Sequence, residues 1–232
     1  MASSEQKAIE QLEEILSVLR HHLGNSVSAI KITLNVLQEN FDLFDEDKKK
    51  EYLKRITDLL VGQERLVEAM KSFSRFNVSE LKEIKFISFW EHLLALGVRK
   101  SKEKGIDITY NLKTGPLLIT GNDIALEMIM SRILDNAMDA LEDIKYPRIE
   151  LQALSMNDFV MVQVKDNGSG IKQNDLSKIF IPLFTTKKEN MGMGLSIVFK
   201  LLAEMEGRIN IESRFGNGTI VKIWLKIARE HE

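Results

Sequence analysis

The stretch FVMVQVKDNGSGI, residues 159–171, runs from apolar residues into an acid, Asp166, that is followed by closely spaced glycines. Such a run is typical of a buried β-strand that ends in a turn. The segment RIELQAL, residues 148–154, has an alternating strand pattern and precedes it. The two segments are therefore predicted to form paired strands, with Asp166 at the end of the second one.

Further elements are predicted on both sides of this pair. Short strands are expected at 84–88, 106–112 and 117–120, helices at 89–104, 123–143 and about 193–206, and a terminal strand hairpin at 208–214 and 219–227. The turn of that hairpin is FGNG, residues 215–218. Helices combined with a mostly antiparallel sheet indicate an α/β sandwich, which we expect to occupy residues 80–232.

The first third of the chain has a helical pattern instead. Residues 4–77 contain no proline, and their apolar positions recur in alternating steps of three and four. The first row of these positions is Ile9, Leu12, Leu16, Leu19, Leu23, Ser26, Ile30, Thr33, Leu37 and Asn40. After a break at 41–47 it resumes with Tyr52, Ile56, Leu59, Gln63, Leu66, Met70 and Phe73, and a second row, Leu53, Leu60 and Val67, widens the stripe.

These rows predict an antiparallel helical hairpin over residues 1–77. The stripes are too wide for one hairpin to cover, so we expect it to dimerise into a four-helix bundle. The predicted fold class is therefore α/β with two domains, a dimerising hairpin and an α/β sandwich at residues 80–232.

Composition excludes several classes of protein. The formal net charge of −2 gives no basic signature of nucleic-acid binding. No uninterrupted apolar run approaches the length of a membrane span. Cysteine is absent, which excludes disulfides and thiolate metal sites and suits a reducing compartment. The expected location is the cytoplasm, either as a whole protein or as the cytoplasmic part of a longer sensor.

Several residues carry the chemistry of a nucleotide site. Gly192 and Gly194 lie where a turn enters a predicted helix, and such a turn presents backbone N–H groups and the positive helix end to a phosphate. Asp166 can accept a hydrogen bond from an exocyclic amine such as that of adenine. Asn136 offers a neutral oxygen suited to Mg²⁺ that already carries phosphate oxygens, and Lys187 can lie against the terminal phosphate.

The order of these segments resembles a known ATPase superfamily. RILDNAMDAL, VKDNGSGI, IFIPLFTTK, MGMGLSIV and FGNGTIV resemble, in that order, the N, G1, F, G2 and G3 boxes of the histidine-kinase branch of the gyrase–Hsp90–kinase–MutL superfamily. The resemblance implies that Asn136 is a Mg²⁺ ligand and that Asp166 reads adenine. It also implies that the rest of the ATP site is formed by Asp139, Gly168, Gly170, Ile171, Thr186, Lys187, Gly192, Met193, Gly194, Leu195 and Thr219. One departure is Arg132, which stands where the N box often has a second Asn.

The segment RHHLGNSVSAI, residues 20–30, resembles the phosphoacceptor box of the same kinases. Aligning Asn25 makes His21 the phosphoacceptor, and the heptad independently places His21 at its most outward position and His22 nearer the flank. His22 replaces the acid that the family usually has next to the acceptor, and we expect it to hold or deprotonate the neighbouring ring. Asn25 occupies the place that the family links to phosphatase activity.

The sequence therefore predicts a homodimeric histidine kinase of a two-component system, with Mg²⁺ and ATP as its cofactors. It would transfer the γ-phosphoryl group of ATP to His21, from which an aspartate of a response regulator takes it. Three alternatives are disfavoured. The intact acid and glycines of the ATP site argue against a phosphotransfer adaptor with a degenerate ATP domain. The heptad hairpin with its outward histidine argues against an ATP-gated clamp and against a protein-serine kinase of the same superfamily. No nucleic-acid partner and no membrane segment are expected.

Overall fold

The computed structural model describes residues 2–75, 78, 80–187 and 192–228. The described residues form two compact units, one comprising Ala2–Arg75 with Ile181–Met193 and the other comprising the rest. No helix in the described ranges is long and apolar enough to cross a membrane. The division into domains at residues 1–77 and 80–232 stays a prediction.

The elements follow the predicted order. The helices are α1 (Ala2–Glu39), α2 (Glu46–Arg75), α3 (Phe86–Lys104), α4 (Asp123–Asp139), α5 (Gln173–Leu176) and α6 (Gly194–Glu204). The strands are β1 (Lys82–Lys85), β2 (Asp107–Lys113), β3 (Leu118–Gly121), β4 (Arg148–Met156), β5 (Phe159–Asp166), β6 (Arg208–Ser213) and β7 (Thr219–Lys226).

The largest differences from the prediction are at the start of α3, at the end of α4 and at one short helix. Helix α3 begins at Phe86, so the expected strand at 84–88 ends earlier, at Lys85. Phe86 and Trp90 lie one helical turn apart and stack with their ring centroids at 6.3 Å, which favours helix at those positions. Helix α4 ends at Asp139 rather than at 143. Helix α5 was not predicted, because four residues are too few to show a helical period.

The main sheet has five strands in the order β2-β4-β5-β7-β6. Strands β2 and β4 are parallel, and every other neighbouring pair in this sheet is antiparallel. Along β7, buried and half-buried residues alternate, which is typical of a sheet with one face against a core. Helices α3, α4 and α6 supply the apolar residues of that core, so the α/β layering of this unit agrees with the prediction.

The position of helix α4 is set by a cap at its start and by the packing of its apolar face in the core. The side-chain oxygen of Asn122 accepts a hydrogen bond from the Ala125 N–H at 3.1 Å and so caps the helix. The buried residues that follow at helical spacing are Leu126, Ile129, Met130, Ile133 and Leu134. Because these residues fix the rotation of the helix, the half-buried Asn136 and Asp139 of its last turns are held in set directions.

In the other unit, α1 and α2 are long helices joined by a short turn, as predicted. Leu37 and Leu66 are 4% exposed, and the Gln63 amide donates to the Leu23 carbonyl at 3.4 Å, so these members of the first row lie between the two helices, whereas Leu16 of the same row is 42% exposed. The side chains of Ile9, Leu12, Leu19 and Phe73 lie outside the described part of the chain. The second row faces solvent: Leu53 is 53%, Leu60 48% and Val67 39% exposed.

Candidate nucleotide site and phosphoacceptor helix

Asp166 ends strand β5 in a buried position, 5% exposed. Its Oδ1 accepts hydrogen bonds from the Gly168 N–H at 2.8 Å and the Thr219 N–H at 3.2 Å. Within the described residues, no hydrogen bond ends on Oδ2. Burial raises the pKa of the carboxyl above its ordinary value, while the backbone N–H groups of Gly168, Thr219 and Asp166 itself oppose that shift. The backbone thus holds one oxygen, and the other is left to accept a hydrogen bond from a ligand.

The loop after Asp166 lies directly against the end of α4. The Ser169 N–H donates to the Ala140 carbonyl at 2.9 Å, and a Cβ on Gly168 would stand 2.5 Å from the same oxygen. Only glycine fits that distance. The close approach brings the predicted adenine-reading acid and the predicted metal-binding helix to the same edge of the domain.

The β6–β7 hairpin closes another side of this loop. The Ile171 N–H donates to the Ser213 hydroxyl oxygen at 2.9 Å, and that hydroxyl lies 2.8 Å from the Gly218 carbonyl and 3.0 Å from the Thr219 hydroxyl. The predicted site residues Ile171 and Thr219 are therefore joined through Ser213. Sequence reasoning missed Ser213. The available signal was its position as the last strand residue before the FGNG turn.

Asn136 faces the start of α6. A Cβ built on Gly194, the first residue of α6, would stand 4.0 Å from Asn136 Nδ2. A helix start with a small residue and an adjacent amide suits a phosphate and the cation bound to it. The structure thus places Asn136 beside Gly194, with Leu195 next along the helix. Asp139 lies farther along α4 and forms an ion pair with Lys104 at 3.8 Å.

Arg132 lies one helical turn before Asn136. Its side chain is half-buried, and burial lowers the pKa of its guanidinium below the ordinary value. Its Nε is buried and has no hydrogen-bond partner among the described residues. The substitution of Arg for the usual Asn therefore places a partly desolvated cation on the helix that carries the predicted metal ligand.

The predicted phosphate-loop residues Thr186, Lys187, Gly192 and Met193 lie in the segment Ile181–Met193, which belongs to the unit of α1 and α2. The Leu183 N–H donates to the Gly192 carbonyl at 2.9 Å. Both residues have positive φ, 66° at Leu183 and 68° at Gly192. A leucine in the left-handed backbone conformation is rare and costs free energy. Such strain is often found at functional segments. Residues 188–191 lie outside the described part of the chain.

On α1, His21 and His22 are both exposed. The predicted outward position of His21 is confirmed, but exposure alone does not separate it from His22. Asn25 Nδ2 lies 3.2 Å from His21 Nδ1, one helical turn away. The direction of that hydrogen bond depends on which ring nitrogen carries the proton and on which end of the amide faces the ring. The structure therefore brings together His21 and Asn25, two of the three predicted catalytic residues.

Comparison with known proteins agrees with this site. Residues 121–229 match the family described as histidine kinase-, DNA gyrase B-, and HSP90-like ATPase. Sensor protein FixL of Bradyrhizobium diazoefficiens is 23% identical, with 96% of this chain and 45% of FixL covered. Two-component sensor PprA of Pseudomonas aeruginosa is 27% identical, with 95% of this chain and 25% of PprA covered. The chain thus spans less than half of either relative.

Solved structures show the same fold. The catalytic domain of histidine kinase ThkA is 26% identical, with a TM-score of 0.56 over 63% of this chain and 95% of that domain. The structure of ThkA in complex with response regulator protein TrrA is 24% identical, with a TM-score of 0.61 over 100% of this chain and 67% of that chain. Residues 121–229 are therefore an ATP-binding domain of the histidine kinase-, DNA gyrase B- and HSP90-like ATPase family, in a chain homologous to sensor histidine kinases.

Proposed function

We propose that this protein is a histidine kinase that uses Mg·ATP to phosphorylate His21 and passes the phosphoryl group to an aspartate of a response regulator. The observation that carries the proposal is the buried Asp166 carboxylate, with Oδ1 held by two backbone N–H groups and Oδ2 left as an acceptor. Oδ2 is open to accept a further hydrogen bond, and a largely desolvated carboxylate gains from a donor that a ligand supplies. The exocyclic amine of adenine is such a donor.

The residues present fit a bound Mg·ATP. Asp166 and Thr219 offer acceptors to the base, and Gly168 allows the close approach that places them. Asn136 offers an amide oxygen to the metal, and the start of α6 at Gly194 offers backbone N–H groups to phosphate. Arg132 adds positive charge to the same helix as Asn136. When bound, Mg·ATP supplies the transferable phosphoryl group.

The His21–Asn25 contact suits a nucleophilic imidazole. Attack on phosphorus requires a ring nitrogen that carries a lone pair, and Nε2 has it only when the proton is on Nδ1. A group that accepts a hydrogen bond from Nδ1–H favours that form. The Asn25 amide lies within reach of Nδ1, and its oxygen can accept this proton when it faces the ring. We therefore assign His21 as the acceptor and Asn25 as the residue that orients it, with His22 as the neighbouring base.

Two partners follow from the proposal. The first is a response-regulator receiver domain, which is supported by the likeness to ThkA in its complex with TrrA. The second is another copy of this chain, which is supported by the exposed second row of α2. Pairing two hairpins into a four-helix bundle would remove this apolar row from water. The intact nucleotide geometry argues against the rival reading as an adaptor with a degenerate ATP domain.

Incubation with γ-labelled ATP tests the proposal. We expect an acid-labile, alkali-stable label that His21→Ala abolishes and His22→Ala only slows, because the neighbouring ring assists the attack without receiving the phosphoryl group. Asn35→Ala changes an exposed amide of the same helix and serves as a matched control with unchanged labelling. Full labelling of His21→Ala, or mass spectrometry that places the phosphoryl group on His22, would contradict the assignment.

A further inference from the structure

The Ser213 hydroxyl lies at the centre of three close polar contacts. Its oxygen is 2.9 Å from the Ile171 N–H nitrogen, 2.8 Å from the Gly218 carbonyl oxygen and 3.0 Å from the Thr219 hydroxyl oxygen. A hydroxyl has one hydrogen to donate and two lone pairs that accept. The Gly218 carbonyl can only accept, so it takes the Ser213 hydrogen. The Ile171 N–H can only donate, so it uses one lone pair.

These assignments fix the direction of the third contact. Because the Ser213 hydrogen is already committed to Gly218, the contact between the two hydroxyls requires Thr219 to donate. The Thr219 hydrogen is thereby directed at Ser213, and only lone pairs remain on its oxygen. Thr219 is therefore locked as a hydrogen-bond acceptor toward any ligand at this edge of the sheet.

The locked hydroxyl belongs to the residue paired with Asp166. Thr219 lies opposite Asp166 in the β5–β7 ladder, and its N–H holds Asp166 Oδ1 at 3.2 Å. Both residues are buried, at 8% and 5% exposed. Neighbouring acceptors, Asp166 Oδ2 and the Thr219 oxygen, thus stand where a base is expected. A 6-aminopurine presents N–H hydrogens at its exocyclic nitrogen, whereas a 6-oxopurine presents an oxygen that such acceptors repel.

We propose that Ser213 is a positioning residue that sets the base specificity of the site, because it holds the Thr219 hydroxyl as an acceptor and so favours 6-aminopurine over 6-oxopurine nucleotides. The inference rests on the proposed nucleotide-binding function and adds a residue that acts through Thr219. Without the Ser213 hydroxyl, the Thr219 hydroxyl can rotate and donate to a 6-oxo group.

Calorimetric titration of the whole chain with ATP and with GTP tests this role. We expect the wild type to bind ATP more tightly than GTP. Ser213→Ala should reduce the ratio of the two affinities about tenfold, as one lost directional hydrogen bond allows. Ser213→Thr keeps the hydroxyl and should keep the wild-type ratio. Ser177→Ala, at an exposed serine after α5, is the matched control and should leave the ratio unchanged.

A double-mutant cycle separates this role from a merely structural one. If Ser213 acts through the Thr219 hydroxyl, adding Ser213→Ala to Thr219→Val should not change the ATP-to-GTP ratio further. An equal drop in both backgrounds would overturn the proposal. Should Ser213→Ala fail to fold, Ser213→Cys has nearly the same shape and a poor hydrogen-bonding thiol, and it gives the same readout.

The outcomes also distinguish this inference from the function on which it rests. A wild type that binds no ATP would overturn both. A wild type that binds ATP selectively, with an unchanged ratio in Ser213→Ala and Ser213→Cys, would overturn the role of Ser213 and leave the kinase proposal standing.

Discussion

At the scale of single residues, Asp166 shows a conflict between stability and function. Its side chain is 5% exposed at the end of β5, and among the described residues its Oδ1 accepts from the Gly168 and Thr219 N–H groups. The buried charge therefore destabilises the nucleotide-free fold relative to a neutral group of the same shape. The proposed adenine contact on Oδ2 would offset this cost, and this conflict can be measured.

Replacing Asp166 with Asn should separate the two effects. The amide oxygen can still accept from the Gly168 and Thr219 N–H groups, but the amide nitrogen would turn a donor toward the adenine amine. We expect ATP affinity to fall by about 1–3 kcal/mol, while the melting temperature of the nucleotide-free protein stays equal or rises. Calorimetry and thermal melts measure both. Asp158→Asn, an exposed acid in the turn before β5, is the control and should change neither. Unchanged ATP affinity in Asp166→Asn would contradict the assignment.

The same residue predicts a pH dependence of stability. The folded-state pKa of Asp166 is raised above its ordinary value of 3.8, so the folded protein holds this proton more tightly than the unfolded chain does. The resulting contribution to stability is present at acid pH and is lost as pH rises through the folded-state pKa. We expect the melting-temperature advantage of Asp166→Asn over the wild type to grow as pH rises from about 4 to 7. An advantage that shrinks over this range would show the opposite sign of shift.

At the scale of elements, turns position the site. Strands β5, β6 and β7 provide a rigid edge, and the short connections between elements carry Gly168, Ile171 and Gly218. In the other unit, the segment Ile181–Met193 is held by the hydrogen bond between Leu183 and Gly192, both in left-handed backbone conformations. The conformation at Gly192 combines positive φ with crowding, which makes it sensitive to any added side chain.

Gly192→Ala should therefore disrupt this segment. A Cβ at Gly192 would stand 2.5 Å from the Leu183 carbonyl carbon and 2.6 Å from the Phe184 carbonyl oxygen, in addition to the strain of a φ of 68°. We expect ATP affinity and autophosphorylation to fall at least tenfold. Gly216→Ala is a matched control, because its φ of 82° is also left-handed but nothing lies within 4 Å. It should cost only about 1 kcal/mol of stability. Equal ATP affinity in the two variants would argue against a role for the crowded turn.

At the scale of the whole molecule, the unit of α1 and α2 has an apolar surface that one chain leaves uncovered. Leu37 and Leu66 of the first row are buried between the two helices, each 4% exposed, whereas Leu60 of the second row is 48% exposed. A single exposed leucine is ordinary, but a repeated row along a helix is typical of an interface. We therefore expect the first row to pack within the hairpin and the second row to pack against the partner copy.

Substitutions in the two rows should have different consequences. Leu60→Glu should leave the helical content intact but convert the dimer to a single chain at micromolar concentration, because a charge would be buried in the proposed interface. Leu66→Glu should lower helical content as well, since that position is buried within the hairpin. Leu43→Glu, at a turn residue that is 81% exposed, is the control. Light scattering and circular dichroism read both effects. A wild-type mass of one chain would contradict the dimer.

The sequence by itself determined the order of the main elements and the α/β layering, and it proposed Asp166, Asn136 and Gly168 as site residues. Periodicity and glycine spacing record which side of each element is buried and where the backbone must turn, and both are local properties. The boundary between Lys85 and Phe86 was misplaced, because burial of Phe86 and Trp90 in the core, at 1% and 2% exposed, favours helix from Phe86 onward.

Only the tertiary structure showed that Ser213 joins Ile171, Gly218 and Thr219, and that the two described hydrogen bonds to the Asp166 carboxylate both reach Oδ1. Ile171 and Ser213 are separated by 42 positions in sequence. Strand pairing determines their contact, and a single sequence does not record which strands become neighbours. The directions of these hydrogen bonds depend on which partners meet. Whether the Thr219 hydroxyl donates or accepts is therefore a property of the folded sheet.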